Sequence, residues 1–159
     1  MAGGRGSKTF SVTTDLSAFV DLMDDVVKAS HDAVVPAAEA GAKVIYQATL
    51  LATPHGKKGH WFSGTNYKVT GKRYWFNAGN LRASIYHVLS QDNTGPGYAT
   101  FHISWNYRKA PYAYMVHNGT SKAAANPFIT IGRDRSEAPA QDAMATKYLD
   151  ILTARGLLS

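Results

Sequence analysis

Histidine and carboxylate side chains are the groups of this 159-residue chain that could bind a metal ion or move protons. The chain has six histidines and eleven acidic residues but no cysteine, which excludes disulfides and thiolate metal ligands. His87 and His102 fall opposite each other in a predicted hairpin, and with His117 they could form a three-histidine site. Paired histidines on a sheet face are more often partly exposed polar residues, so we predict no metal site.

Two adjacent carboxylates, Asp24 and Asp25, are candidates for acid–base or metal chemistry. Neighbouring residues on a helix point about 100° apart, so the two side chains do not converge on one ion. We interpret them, with Asp21 and Lys28, as a solvated helix face. The chain also lacks the GxSxG, HExxH, Walker A and dinucleotide-binding motifs. The sequence therefore predicts a protein that is not an enzyme and needs no cofactor.

A basic, aromatic segment at about residues 55–78, which we call the arm, holds the most unusual composition. Six basic residues and no acid lie between His55 and Arg82, and the remaining eleven basic residues equal the acidic ones in number. The net charge of +6 is therefore local. The cations and aromatic rings of the arm are Lys57, Lys58, Trp61, Phe62, Tyr67, Lys68, Lys72, Arg73, Tyr74, Trp75 and Phe76.

Two interpretations of the arm stay open. Cations neutralise phosphates and aromatic rings stack on unpaired bases, so the arm could be a small nucleic-acid-binding surface. Alternatively, its rings pack against a protein surface while its lysines stay hydrated. Two of the three tryptophans, Trp61 and Trp75, lie in the arm, which favours the contact with protein.

Helical periodicity appears at both ends of the chain. After a candidate N-cap at Asp15, apolar residues recur at helical spacing up to Val27. Pro36 predicts a break or kink near residues 31–35, followed by a second helix over residues 36–52 that Thr53-Pro54 ends. The alanines of this second helix predict close packing. A C-terminal helix is predicted over residues 136–154, with Gly156 as its stop signal.

Strand signals occupy the middle of the chain. The clearest strands are residues 81–91 and 98–106 around the turn DNTGPG, and we predict a register that pairs Val88 with Phe101. A small hairpin is predicted between residues 67–70 and 73–76, with further short strands at residues 8–14 and 126–131. The predicted core residues are Val88, Phe101, Ile103, Trp105 and Phe128.

Length and pattern together predict one α+β domain. N-terminal helices and a C-terminal helix would pack on one face of a small antiparallel sheet. Residues 1–7 would form a flexible tail, and residues 8–159 the domain, with the arm inserted in it. The sequence has no uninterrupted stretch of about 18 apolar residues, so we predict no membrane-spanning segment.

Three motifs, in order, resemble those of a family of tail components from long-tailed bacteriophages. The first is Ala52-Thr53-Pro54 after a helical half, and the second is residues 79–85 (GNLRASI). The third is residues 112–120 (YAYMVHNGT), followed by Pro127-Phe128. Members of this family are described as tail-completion, head–tail joining or minor tail proteins. The arm reads as an insertion relative to them, and His117-Asn118 stands where a glutamate and an aromatic residue are usual.

The resemblance implies a structural protein of the virion tail or neck, assembled in the host cytoplasm. Because tails of this type have sixfold symmetry, it implies a hexameric ring, with the tail tube or tail terminator and the head connector or stopper as partners. DNA passing through the lumen would touch it only non-specifically. The residues expected at subunit or partner contacts are Lys57, Lys58, Trp61, Phe62, Tyr67, Arg73, Tyr74, Trp75, Arg82, Tyr112, Tyr114, His117, Gly119 and Thr120.

Overall fold

The computed structural model describes residues 15–64 and 66–158. The predicted flexible tail, residues 1–7, and the strand predicted at residues 8–14 lie outside the described residues. In chain order the helices and strands are α1 (Ser17–Ala52), β1 (His60–Ser63), α2 (Tyr67–Thr70), β2 (Arg73–Phe76), α3 (Asn80–Ala83), β3 (Ile85–Leu89), β4 (Phe101–Trp105), α4 (Ala113–Asn118) and α5 (Phe128–Ala154). The α+β class is confirmed.

Helix α1 runs without interruption through Pro36, so the predicted break near residues 31–35 is wrong. A proline inside a helix costs about 3 kcal/mol through its missing N–H and its ring. Buried residues lie on both sides of it, at Ala33 and Ala37. Their packing against α5 outweighs that local cost, because a break would separate the two halves of one buried face.

Helix α5 begins eight residues earlier than the sequence indicates, and the strand predicted at residues 126–131 is wrong. Phe128, Ile129 and Ile131 have high strand propensity, but propensity yields to packing. As part of a helix, this segment buries Phe128 completely and brings Gly132 against α1. The predicted end is confirmed: α5 ends at Ala154, and Gly156 follows with a φ of 71°.

The two long helices form an antiparallel pair through small residues at every fourth position. Thr49 near the end of α1 lies against Gly132 near the start of α5, and Arg155 after α5 bonds to Asp32 on α1. Small side chains let the backbones approach closely, as the alanines of α1 predicted. The small buried residues of this stripe are Ala29, Ala33, Ala37, Gly41 and Thr49 on α1 and Gly132, Ser136 and Ala140 on α5, and α5 also buries the larger Phe128 and Leu152.

Strands β3 and β4 pair antiparallel with a register one residue away from the predicted one. Val88 pairs with His102, and Leu89 pairs with Phe101. Residues 90–100 form a wide loop with its own Gly95–Tyr98 bridge, so the turn does not fix the register as a tight hairpin would. Val88 is consequently exposed, not core as predicted, and Ile85 takes the inner position instead.

On β4 the inner face is the predicted one: Phe101, Ile103 and Trp105 are each half-buried. Trp105 and Phe128 lie with their ring centroids 5.9 Å apart, and Phe128 is fully buried as predicted. The cluster around Phe128 is the main core of the sheet region. Its buried members are Leu81, Ile85, Ala110, Tyr112, Ala113 and Phe128.

The arm also pairs differently from the prediction. Strand β2 pairs with β1, with Trp61 opposite Trp75 and Phe62 opposite Tyr74, so the described residues form two separate two-stranded sheets. Residues 67–70, predicted as a strand, form the single helical turn α2, which Gly71 ends with a φ of 65°. The physical reason is that Gly71 adopts the left-handed conformation that ends helices, so residues 67–72 become the connection of a longer hairpin.

Candidate assembly surfaces

The inner side of the arm packs on its own domain through aromatic rings. His60, Phe62 and Phe76 surround Tyr112, with ring centroids 4.7, 5.9 and 5.0 Å from the Tyr112 ring. Tyr112 is only 8% exposed, so it holds the arm in place and does not offer a surface to a partner. The arm is therefore a hairpin that packs on its own domain and does not extend away from it.

The outer side of the arm presents a pair of tryptophans. The Trp61 and Trp75 rings meet edge to face, 5.3 Å apart, and are 61% and 50% exposed. The Trp75 indole Nε1 donates a hydrogen bond to Asn77 Oδ1 at 3.0 Å, which helps to fix its orientation. Exposed aromatic side chains held in one orientation are typical anchors of protein interfaces, since little conformational entropy is lost on binding.

The cations of the arm are all exposed. The Arg73 guanidinium lies 5.0 Å above the Tyr67 ring and donates a hydrogen bond to the Tyr67 hydroxyl at 3.0 Å. This contact holds both side chains at the tip of the arm. The remaining exposed cations are Lys57, Lys58, Lys68 and Lys72.

A concave aromatic groove lies where the arm meets the segment before α4. Its volume is about 450 Å³. Arg108 adds a cation at its wall, and Tyr107 is 69% exposed. We call this the arm groove, and its apolar lining is Phe62, Tyr74, Phe76, Tyr107, Pro111 and Met115.

Arg82, expected at a subunit junction, is used inside the chain. Its Nη2 donates a hydrogen bond to the carbonyl O of Thr53 at 3.1 Å, which ties α3 to the end of α1. Its Nε is buried and makes no hydrogen bond to any described residue. The Arg82 guanidinium therefore contacts a carbonyl of its own domain rather than one of another subunit.

The other expected contact residues are divided between core and surface. His117 lies against two core rings, with centroids 5.8 Å from Trp105 and 5.3 Å from Phe128. Tyr114 is 63% exposed. Gly119 has a φ of 78°, a backbone conformation that glycine adopts without strain, and exposed Thr120 follows it.

The first turns of α1 carry an exposed apolar face. Because Arg155, just after α5, lies beside Asp32, residues 17–28 of α1 extend past the end of α5. We call this surface the helix-end face. Its exposed apolar side chains are Leu16, Phe19, Val20, Met23 and Val27, and Leu22 on the same turns is also exposed.

Acidic residues accompany the helix-end face. Asp21, Asp24 and Asp25 are exposed, as the sequence predicted. The Ser17 amide donates a hydrogen bond to Asp15 Oδ1 at 2.9 Å, and this bond lowers the pKa of Asp15. The helical spacing of the apolar residues shows which side of these turns is apolar. It does not show whether another part of the chain covers that side.

The histidines considered as metal ligands do not come together in the described part of the chain. His87 and His102 lie on opposite faces of their hairpin, so their predicted opposition is wrong. The His87 ring packs 4.8 Å from Tyr46 on α1, while His102 is exposed. No group of three histidine, aspartate or glutamate side chains comes together among residues 15–64 and 66–158. Within the same ranges, no helix combines the length and apolar composition needed to cross a membrane.

Comparisons of the chain with known protein families, with curated proteins and with solved structures found no match in any of the three.

Proposed function

We propose that this protein is a structural subunit of a closed ring in the tail or neck of a long-tailed bacteriophage. The ring, of six subunits, would complete the tail and join it to the head. The observation that supports a ring is that the chain carries two different apolar surfaces, at opposite ends of α1. One is the helix-end face, and the other is the arm with its tryptophan pair and groove.

The distance between the two surfaces matters for the kind of assembly. Helix α1 has 36 residues, which corresponds to a length of about 54 Å. A contact between two different surfaces repeats from one copy to the next, and it generates a ring when the rotation closes. A single self-complementary patch would instead favour a twofold dimer. The resemblance in sequence supplies the context of the phage tail and the number six.

The exposed apolar area supports assembly of some kind. Soluble monomers rarely expose contiguous apolar patches beyond a few hundred Å². Here Trp61, Trp75 and Tyr74 are each at least half exposed, beside a groove lined by further rings. A rigid subunit with such surfaces gains stability by covering them in a larger structure.

A second candidate function is nucleic-acid binding by the arm. It is favoured by one observation: all five cations of residues 55–76 are exposed, and the same segment carries two exposed tryptophans. This arrangement would bind single strands without sequence preference and with a strong salt dependence. In a tail ring the same cations could face DNA in the lumen.

Native mass spectrometry of the full-length protein, alone and mixed with the products of the genes next to its own, tests the proposal. We expect a hexamer that is visible as a ring by electron microscopy. Tyr74→Ala/Tyr107→Ala, at exposed rings of the groove, should abolish it with little change in the melting temperature, whereas Tyr86→Ala, at an exposed ring on β3, should leave it intact. A monomer in every mixture would overturn the proposal; single-stranded DNA affinity lost in Lys57→Gln/Lys58→Gln/Lys72→Gln would then support the second candidate.

A further inference from the structure

We propose that the helix-end face of one copy docks in the arm groove of the next copy. This inference rests on the proposed ring and names the two surfaces that would build it. The occupant of the groove is thus a second copy of this chain. Three properties of the described residues lead to it: charge, shape and distance.

Charge favours contact between unlike surfaces. Residues 15–28 carry Asp15, Asp21, Asp24 and Asp25 against Lys28, whereas residues 55–76 carry five cations and no acid. Two helix-end faces would bring like charges together, and so would two arms. Contact between like surfaces is therefore disfavoured, and contact between a helix end and an arm is favoured both at encounter and in the complex.

Shape supports the same pairing. Leu16, Val20, Met23 and Val27 follow one another at intervals of four, three and four residues, which places them along one side of α1. Such a convex stripe fits an apolar groove, a common mode of helix recognition. The arm groove is concave, aromatic and about 450 Å³ in volume. Phe19 beside the stripe is the natural anchor, because aromatic side chains contribute most at interfaces.

The two surfaces of one copy are too far apart to contact each other. The helix-end face lies at the start of α1, and the arm follows its end, so the two are separated by nearly the length of the helix. Because α1 is continuous through Pro36, it cannot fold back to bring them together. Each copy would therefore contact one neighbour through its helix-end face and the other neighbour through its arm groove.

Charge reversal followed by mixing tests the pairing. Asp24→Lys/Asp25→Lys gives residues 15–28 a net charge of +1, and Lys57→Glu/Lys58→Glu/Lys72→Glu gives residues 55–76 a net charge of −1. In sedimentation velocity, each variant alone should self-associate at least tenfold more weakly than the parent chain. An equimolar mixture should recover assembly, because each helix end then meets an arm of opposite charge. Lys122→Glu/Lys147→Glu, at exposed sites elsewhere, should leave assembly unchanged. Reversed variants that assemble like the parent would overturn the docking and leave the ring standing.

Cysteine cross-linking provides a readout that also works if the free chain sediments as a monomer, and the absence of native cysteine makes it specific. Full-length Met23→Cys and Tyr107→Cys proteins are mixed and oxidised, with Leu149→Cys on α5 as the control partner. We expect the Met23→Cys to Tyr107→Cys heterodimer to exceed both homodimers and the control. A dominant Met23→Cys homodimer, or cross-linking no greater than the control, would overturn the docking. A specific heterodimer without any ring in the presence of neighbouring gene products would support the docking and contradict the phage-tail function.

Discussion

Gly132 on α5 lies directly against the backbone of Thr49 on α1. A Cβ atom built on Gly132 would fall 2.6 Å from the Thr49 Cα and 2.7 Å from its amide nitrogen. Both residues are buried, and the Thr49 hydroxyl makes no hydrogen bond to any described residue. The two long helices therefore touch backbone to backbone at this point, which only glycine permits.

We expect Gly132→Ala to lower the free energy of unfolding by about 1–3 kcal/mol, because the added methyl group overpacks a contact made by backbone atoms. Helix propensity alone would give the opposite sign, since alanine is favoured over glycine inside a helix. Urea denaturation measures the effect. Thr130→Ala, at an exposed position of the same helix, is the control and should be nearly neutral. A stabilised Gly132→Ala protein would contradict the close approach.

Phe128→Ala should cost about 3–5 kcal/mol of unfolding free energy, the range for a fully buried aromatic residue. Trp105→Ala should cost less, because Trp105 is only half-buried beside it. Chemical denaturation of the two variants tests this order. A larger loss for Trp105→Ala would mean that the inner face of β4 is more deeply covered than the structure shows.

Glycines with positive φ should differ according to their surroundings. Gly119→Ala should be strongly destabilising, since a Cβ there would lie 2.7 Å from the Ala125 amide nitrogen in addition to the strained φ of 78°. Gly71→Ala has the strained φ without any neighbour within 4 Å, so its cost should be about 1–2 kcal/mol. Gly56→Ala, without a positive φ, should be neutral or slightly stabilising. Melting temperatures in any other order would contradict this account.

The pKa of Glu39 is lowered because the Lys43 ammonium donates a hydrogen bond to Oε1 at 2.8 Å and adds its positive charge. Since the folded pKa lies below the unfolded one, the contribution to stability is present above the ordinary glutamate pKa. It is lost as the pH falls through the folded pKa. An NMR titration of the Glu39 carboxyl should show the low pKa, and Lys43→Met should return it towards the ordinary value. Lys147→Met should not change it.

Inner and outer rings of the arm should respond differently to substitution. Phe76→Ala removes a half-buried ring 5.0 Å from Tyr112 and should lower the melting temperature by several degrees. Trp61→Ala, on the outer side, should change it little. Deletion of residues 56–76 should destabilise the whole domain, because it uncovers Tyr112. A deletion variant that melts like the parent would show that the arm contributes nothing to the fold.

Features that depend on the chemistry of single residues can be predicted from the sequence. Thr53-Pro54 ends α1, Gly156 follows α5, and Gly119 takes the left-handed turn, because each residue type restricts or permits its own backbone angles. The α+β class, the solvated aspartates of α1 and the basic character of the arm also follow from composition and periodicity.

Which segments pack or pair with each other could not be predicted from local patterns and is seen in the tertiary structure. Helix α1 continues through Pro36, residues 128–131 join a helix, and β2 pairs with β1, because burial of the α1–α5 stripe and of Tyr112 outweighs local propensity. The register that exposes Val88 depends on a wide loop rather than on a tight turn. The exposure of the helix-end face depends on where α5 ends relative to α1. That relative position is set by how the two helices pack together, so the sequence of either helix does not predict it. Contacts between residues distant in sequence are set by the summed packing of the whole domain, whereas turns and helix ends are set by single residues.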